Sequence, residues 1–83
     1  MIYKLQIEKA ALKYIKKQDV PTIKRLMAAI DQIAENPHIG EPLINHAAQY
    51  KYRVGSYRIL YKIVESELVI SIIKVGPRGD VYN

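Results

Sequence analysis

Residues 50–64 read Tyr50-Lys51-Tyr52-Arg53-Val54-Gly55-Ser56-Tyr57-Arg58-Ile59-Leu60-Tyr61-Lys62-Ile63-Val64. These are two runs of aromatic, β-branched and cationic side chains broken by a Gly-Ser pair. Such residues suit a pleated surface, and Gly at the first central position of a two-residue loop suits a type II′ turn, whose twist matches that of the flanking strands. The spacing predicts a hairpin in which Val54 faces Tyr57, Arg53 faces Arg58, Tyr52 faces Ile59 and Lys51 faces Leu60. Side chains alternate faces with period two. One face therefore carries Tyr52, Val54, Tyr57, Ile59, Tyr61 and Ile63, a packing surface. The other carries Lys51, Arg53, Arg58 and Lys62, with Leu60 and Val64 between them. Arginines directly opposite one another repel, so stability alone does not select them. A set of guanidinium and ammonium groups on an open face suits phosphate, because Arg offers a planar fork of donors. A solvated face that guards the sheet against aggregation is the other reading of the same charges.

The rest of the chain follows outward from this hairpin. Glu67 or Leu68 to Val75 is a further Ile/Val-rich strand, set off by Glu65-Ser66, so everything after Tyr50 reads as a three-stranded meander. At the other end, Ile2 to Ile7 reads as a six-residue strand. From Glu8 to Lys17 the spacing of Ala11, Leu12 and Ile15 predicts a short amphipathic helix. Asp19 and Pro21 signal the start of a second helix, along which Ile23, Leu26, Met27, Ile30, Ile33 and Ala34 recur at three- and four-residue intervals. Asn36-Pro37 ends it, since the residue before proline is pushed out of the α region. Pro37 to Gln49 reads as a loop. The order β-α-α-β-β-β, with helices covering one face of the sheet, predicts a two-layer α+β fold and a single domain over residues 1–83.

Composition narrows the function. The chain has 83 residues, no Cys and a formal net charge of +5. A disulfide framework, a Cys-ligated metal site and a thiol nucleophile are excluded, and a reducing compartment fits. No long apolar stretch reads as a membrane span and the first residues lack a signal-peptide pattern, so a cytoplasmic location is expected. Residues 50–83 hold six Lys/Arg against three Asp/Glu, and residues 1–49 seven against five. Positive charge thus concentrates where the meander lies, which points to a polyanionic partner.

Two motifs, Arg53-Val54-Gly55-Ser56-Tyr57-Arg58-Ile59-Leu60-Tyr61 and Val75-Gly76-Pro77-Arg78-Gly79-Asp80-Val81-Tyr82, resemble the RelE/ParE superfamily of type II toxin–antitoxin toxins, in register behind a helical pair. The resemblance spans nearly the whole chain and implies a RelE-like fold. RelE-like members are ribosome-dependent endoribonucleases acting on messenger RNA; ParE-like members poison DNA gyrase. The RelE-like set of basic residues, with an Arg after the last strand and a Tyr near the C terminus, falls on Lys51, Arg53, Arg58, Arg78 and Tyr82, which favours the ribonuclease branch. An inactive toxin-fold protein that only binds its antitoxin and operator DNA is a third reading. The resemblance also implies a RelB-like cognate antitoxin, action on ribosome and mRNA, an operator-bound toxin–antitoxin complex, and no membrane partner.

The chemistry is consistent with that carry-over. Cleavage by the 2′-OH needs a base, in-line positioning, stabilised charge on phosphorus and a neutralised leaving group, and needs no metal or other cofactor. Lys51, between cationic neighbours, is the expected base, its pKa drawn down by them. Arg53 and Arg58 would hold the phosphate, Arg78 would stabilise the leaving oxygen, and Tyr82 would stack on a base or orient the nucleophile. Position 53 is Arg where some relatives have Lys, so it offers no second base. Lys62 joins the RNA-binding set, and Lys9 and Lys13 are either ribosomal RNA contacts or a solvated helix face. His38 and His46 read as loop histidines, His46 with a lesser reading as a spare acid or base.

Overall fold

The computed structural model describes residues 3–44 and 46–77. Strand β1 (Lys4–Ile7) leads into helix α1 (Lys9–Lys16), then α2 (Val20–Glu35). A 3-10 turn over Pro37–Ile39 precedes β2 (Glu41–Pro42), followed by β3 (Gln49–Val54), β4 (Tyr57–Val64) and β5 (Val69–Pro77). The sheet order is β1-β5-β4-β3-β2, with β1 parallel to β5 and the other neighbours antiparallel.

Periodicity explains the helices. Ala11 and Ile15, four residues apart, are the buried pair of α1, and Leu26, Ala29, Ile30, Ile33 and Ala34 form the buried stripe of α2. Asp19 takes the extended N-cap conformation without a side-chain capping bond. Pro21 sits in the first turn, where a missing N–H costs no helical hydrogen bond. Asn36 leaves the helical region ahead of Pro37, as the sequence requires.

Both helices lie on one face of the sheet. Ile15, Leu26, Ile30, Ile33, Ile59, Tyr61, Ile70 and Ile72 are each less than 2% exposed and form the centre of the core, with Leu5 and Ile7 packed against it. The two-layer α+β expectation holds, with one strand added. β2 has only two residues and arises within the expected loop, where it pairs Glu41 with Lys51 and Pro42 with Tyr50. The last strand also begins later than expected, because Glu65–Glu67 is a 3-10 turn and Leu68 adopts a left-handed conformation (φ 52°).

The hairpin register is the expected one, Val54↔Tyr57, Arg53↔Arg58, Tyr52↔Ile59 and Lys51↔Leu60. Gly55 has φ 57°, the only positive value in that two-residue turn, as a II′ geometry demands. Between β4 and β5 the pairing shifts: Tyr61 faces Ile72 but Leu60 faces Lys74, leaving Ile73 as an extra residue on β5. Such a bulge changes which face the following residues present.

Candidate nucleic-acid interface

The face of the sheet opposite α1 and α2 is laid out by the ladder. One row runs Arg53, Arg58, Gly76; the next runs Glu41, Lys51, Leu60, Lys74; a third runs Gln49, Lys62, Ser71, Gln6. Lys51, Arg53, Arg58 and Lys62 are therefore brought to one face. Arg53, Lys62 and Lys74 are exposed, while Lys51 and Arg58 are half-buried. Leu60, flanked in its row by two lysines, is only 8% exposed. Aliphatic stems of long cations cover apolar neighbours while their charged heads stay in water. Gly76, opposite Arg58, adds no side chain beside the guanidinium on β5.

Lys74 is the cation that sequence parity misses. Counted from the buried Ile70 and Ile72, position 74 belongs to the core face. The extra residue Ile73 turns Lys74 outward and returns Val75 to the core, where it is 3% exposed. Only the bulge carries that information, and no local residue pattern announces it.

The tyrosines of the hairpin hold this face in place from behind. Tyr61 is fully buried; its hydroxyl donates to the Pro37 carbonyl at 2.6 Å and accepts the Gly40 N–H at 3.0 Å. Burial, the largest influence, pushes its pKa up to about 12. Tyr50 stacks on Tyr61 with ring centres 5.5 Å apart and reaches His38 Nδ1 at 3.2 Å. Tyr52 donates to Gln32 of α2, and Tyr57 to Gln18 at the end of α1. All four sit on the packing side, as the alternation predicts, so none of them belongs to the outer face.

Gly40 matters through close approach. A Cβ built there would lie 2.6 Å from the Lys51 carbonyl oxygen and 2.7 Å from the Tyr61 hydroxyl. The 3-10 turn thus abuts the strand that carries Lys51. Beside it, a 390 Å³ cavity is lined by Glu41, Pro42, Leu43, Ile44, His46 and Lys51. Loop residue His46 and ladder neighbour Glu41 therefore share Lys51's surroundings, and the missed strand β2 is what places Glu41 there.

Lys9 and Lys13 stand elsewhere. With Leu12 and Lys16 they line a surface groove on α1, in the helical layer, and the fold does not bring them to the basic sheet face. Arg78 and Tyr82 lie outside the described residues. Among the described residues no group of three or more His, Cys, Asp or Glu is placed to hold a metal ion, and no helix is long and apolar enough to cross a membrane.

Chemically, the face can grip a phosphodiester through Arg53 and Arg58 while the amine of Lys51 lies in the adjacent row. Known proteins share the sequence pattern and the fold. The family model described as the ParE toxin of type II toxin–antitoxin system, parDE, matches residues 5–82. Toxin RelG of Mycobacterium tuberculosis is 32% identical over 65 residues, covering 70% of this chain and 75% of that protein. The mRNA interferase toxin RelE of Escherichia coli K12 is 26% identical over 88 residues, covering 100% of this chain and 93% of RelE. The crystal structure of the archaeal RelE–RelB complex from Pyrococcus horikoshii superposes with TM-score 0.84 at 25% identity, covering 96% of this chain and 99% of the other.

Proposed function

The chain belongs to the ParE toxin family of type II toxin–antitoxin systems, within the RelE/ParE superfamily, and from that premise we propose that it is a cytoplasmic endoribonuclease that cuts messenger RNA on the ribosome and is neutralised by a RelB-like antitoxin. The Arg53–Arg58 pair carries this reading: two guanidiniums in one row, with Lys51 and Lys74 in the next, on the face opposite α1 and α2. The name of the E. coli relative, an mRNA interferase, supports the same branch.

In the proposed reaction the 2′-oxygen forms a bond to the adjacent phosphorus while the bond to the 5′-oxygen breaks, giving a cyclic phosphate and a 5′-hydroxyl. Lys51, as the free amine, takes the 2′ proton. Arg53 and Arg58 stabilise the charge on the phosphoryl oxygens, a contribution worth about 10²–10³ in rate for a well-placed donor. Arg78 stabilises the leaving oxygen, which takes a proton from solvent water, and Tyr82 stacks on a neighbouring base. No metal or cofactor enters these steps. Lys62 extends the RNA track along the same face, and Lys9 and Lys13 contact ribosomal RNA from the helical layer. An acidic antitoxin segment competes for the basic face, and the toxin–antitoxin complex binds operator DNA.

Primer extension on a defined message, with and without translating ribosomes and with Arg58→Ala as control, tests the proposal. Codon-registered cuts that need ribosomes and vanish in the variant are expected. The family model's own name favours a second reading, a gyrase poison. Absence of cuts together with inhibition of supercoiling by the wild-type protein would establish that reading instead.

A further inference from the structure

Arg53 has a second neighbourhood. β2 pairs with β3 only at Tyr50 and Lys51, so β3 is the sheet edge from Tyr52 to Val54. Between that edge and α2 runs a 210 Å³ groove whose lining includes Arg25, Ala28, Ala29, Gln32, Tyr52 and Arg53. The four helical positions recur at three- and four-residue spacing and form one stripe of α2. Small side chains at 28 and 29 make the floor low, and Gln32, which accepts from the Tyr52 hydroxyl at 3.2 Å, makes one wall.

Arg25 reaches the tip of the hairpin. The position a Cβ would take on Gly55 lies 3.3 Å from an Arg25 guanidinium nitrogen, with no other atom as near. Among the described residues neither Arg25 nor Arg53 has a hydrogen bond or ion pair, and no acidic residue lines the groove. Two guanidiniums therefore flank one groove without an internal counter-charge, and the second of them also belongs to the row of Arg58.

We infer that this groove is a second phosphodiester site, in which Arg25 and Arg53 hold the backbone of single-stranded RNA as it passes from the Lys51–Arg58 face over the sheet edge. The inference rests on the RNA-cleaving reading and adds Arg25 as a binding residue. Continuity with the basic face through Arg53 favours RNA over an acidic peptide as the occupant. The polar wall at Gln32 and the open floor admit a sugar or base between the two phosphate contacts.

The test is binding of 2′-O-methyl oligonucleotides, which cannot be cleaved, to wild type, Arg25→Gln, Arg25→Lys and Arg58→Ala across a salt series. Each lost phosphate contact on a single strand reduces the log–log salt slope by about 0.7. Arg25→Gln should weaken a 12-mer several-fold with that change of slope, Arg25→Lys should keep the slope, and a trinucleotide should bind wild type and Arg25→Gln alike. An unchanged slope and affinity for the 12-mer in Arg25→Gln, with Arg58→Ala still impaired, overturns the groove while leaving the RNA reading intact. Loss of polyglutamate binding in Arg25→Gln without loss of 12-mer binding assigns the groove to a protein partner and overturns it too. Wild type that binds no oligonucleotide overturns both readings together. Thermal midpoints of the variants, expected to match wild type, separate these outcomes from misfolding.

Discussion

Arg53 and Arg58 stand directly opposite one another on β3 and β4, and the third member of their row is a glycine. Like charges across a ladder disfavour folding by some tenths of a kcal/mol. Arg53→Thr should therefore hold or raise the thermal midpoint while lowering RNA cleavage by about 10²–10³-fold, the range expected for a lost phosphoryl contact. Denaturation and cleavage measured on one preparation decide this; a variant that loses stability and keeps activity would show the pair to be structural.

Gly40 admits no side chain. In Gly40→Ala the new methyl meets the backbone carbonyl of Lys51 and the Tyr61 hydroxyl, and backbone cannot yield as a flexible side chain can. The variant should lose about 1–3 kcal/mol, typical of overpacking. Because the displaced segment carries Lys51, surviving folded protein should also cleave more slowly. Urea titration and a rate measured well below the midpoint separate the two effects.

Tyr61 ties the 3-10 turn to the sheet through one donated and one accepted hydrogen bond. Tyr61→Phe leaves the Pro37 carbonyl and the Gly40 N–H without that partner, at a cost of about 1–3 kcal/mol.

The same hydroxyl sets an alkaline limit. Its pKa rises from 10.0 to about 12 on folding, so the folded chain keeps a proton that the unfolded chain releases. Its contribution to stability is complete below pH 10, then falls as pH climbs toward 12, by on the order of 2 kcal/mol. The difference between wild type and Tyr61→Phe across that window isolates this proton from the titrating lysines; a difference independent of pH would contradict the assignment.

Ile73 is the extra residue on β5 before Lys74. Deleting Ile73 would close the bulge while strict alternation from the inward Ile72 keeps Lys74 outward and Val75 inward, so this variant should retain the fold. Lys74→Gln should also fold normally and reduce the salt slope of RNA binding by about 0.7. Circular dichroism for the first and anisotropy for the second are sufficient readouts.

The sequence was most informative where local chemistry specifies geometry. Gly55-Ser56 set the turn, the turn set the register, and the register placed Lys51, Arg53, Arg58 and Lys62 on one face. The stripe of α2 was equally legible. β2 was not: Glu41-Pro42 is too short for periodicity, and its pairing depends on the bare Cα of Gly40 lying against Lys51. The bulge at Ile73 erased the parity of Lys74 for a related reason, since tertiary pairing rather than residue type decides where an extra residue is tolerated. Arg25 carries no local signal in the sequence, and only the packing of α2 beside an open strand edge gives it a neighbour.

The parallel pairing of β1 with β5 couples the site to protein synthesis. Leu5 finds its ladder partner in Ile70, and Ile7 in Ile72, so β1 waits for β5. Long-range pairing of this kind is a slow step in folding. Until β5 emerges from the exit tunnel, the rows of the basic face also lack Lys74 and Gly76. Under the proposed ribonuclease activity, a chain whose final strand has not yet docked lacks a finished basic face.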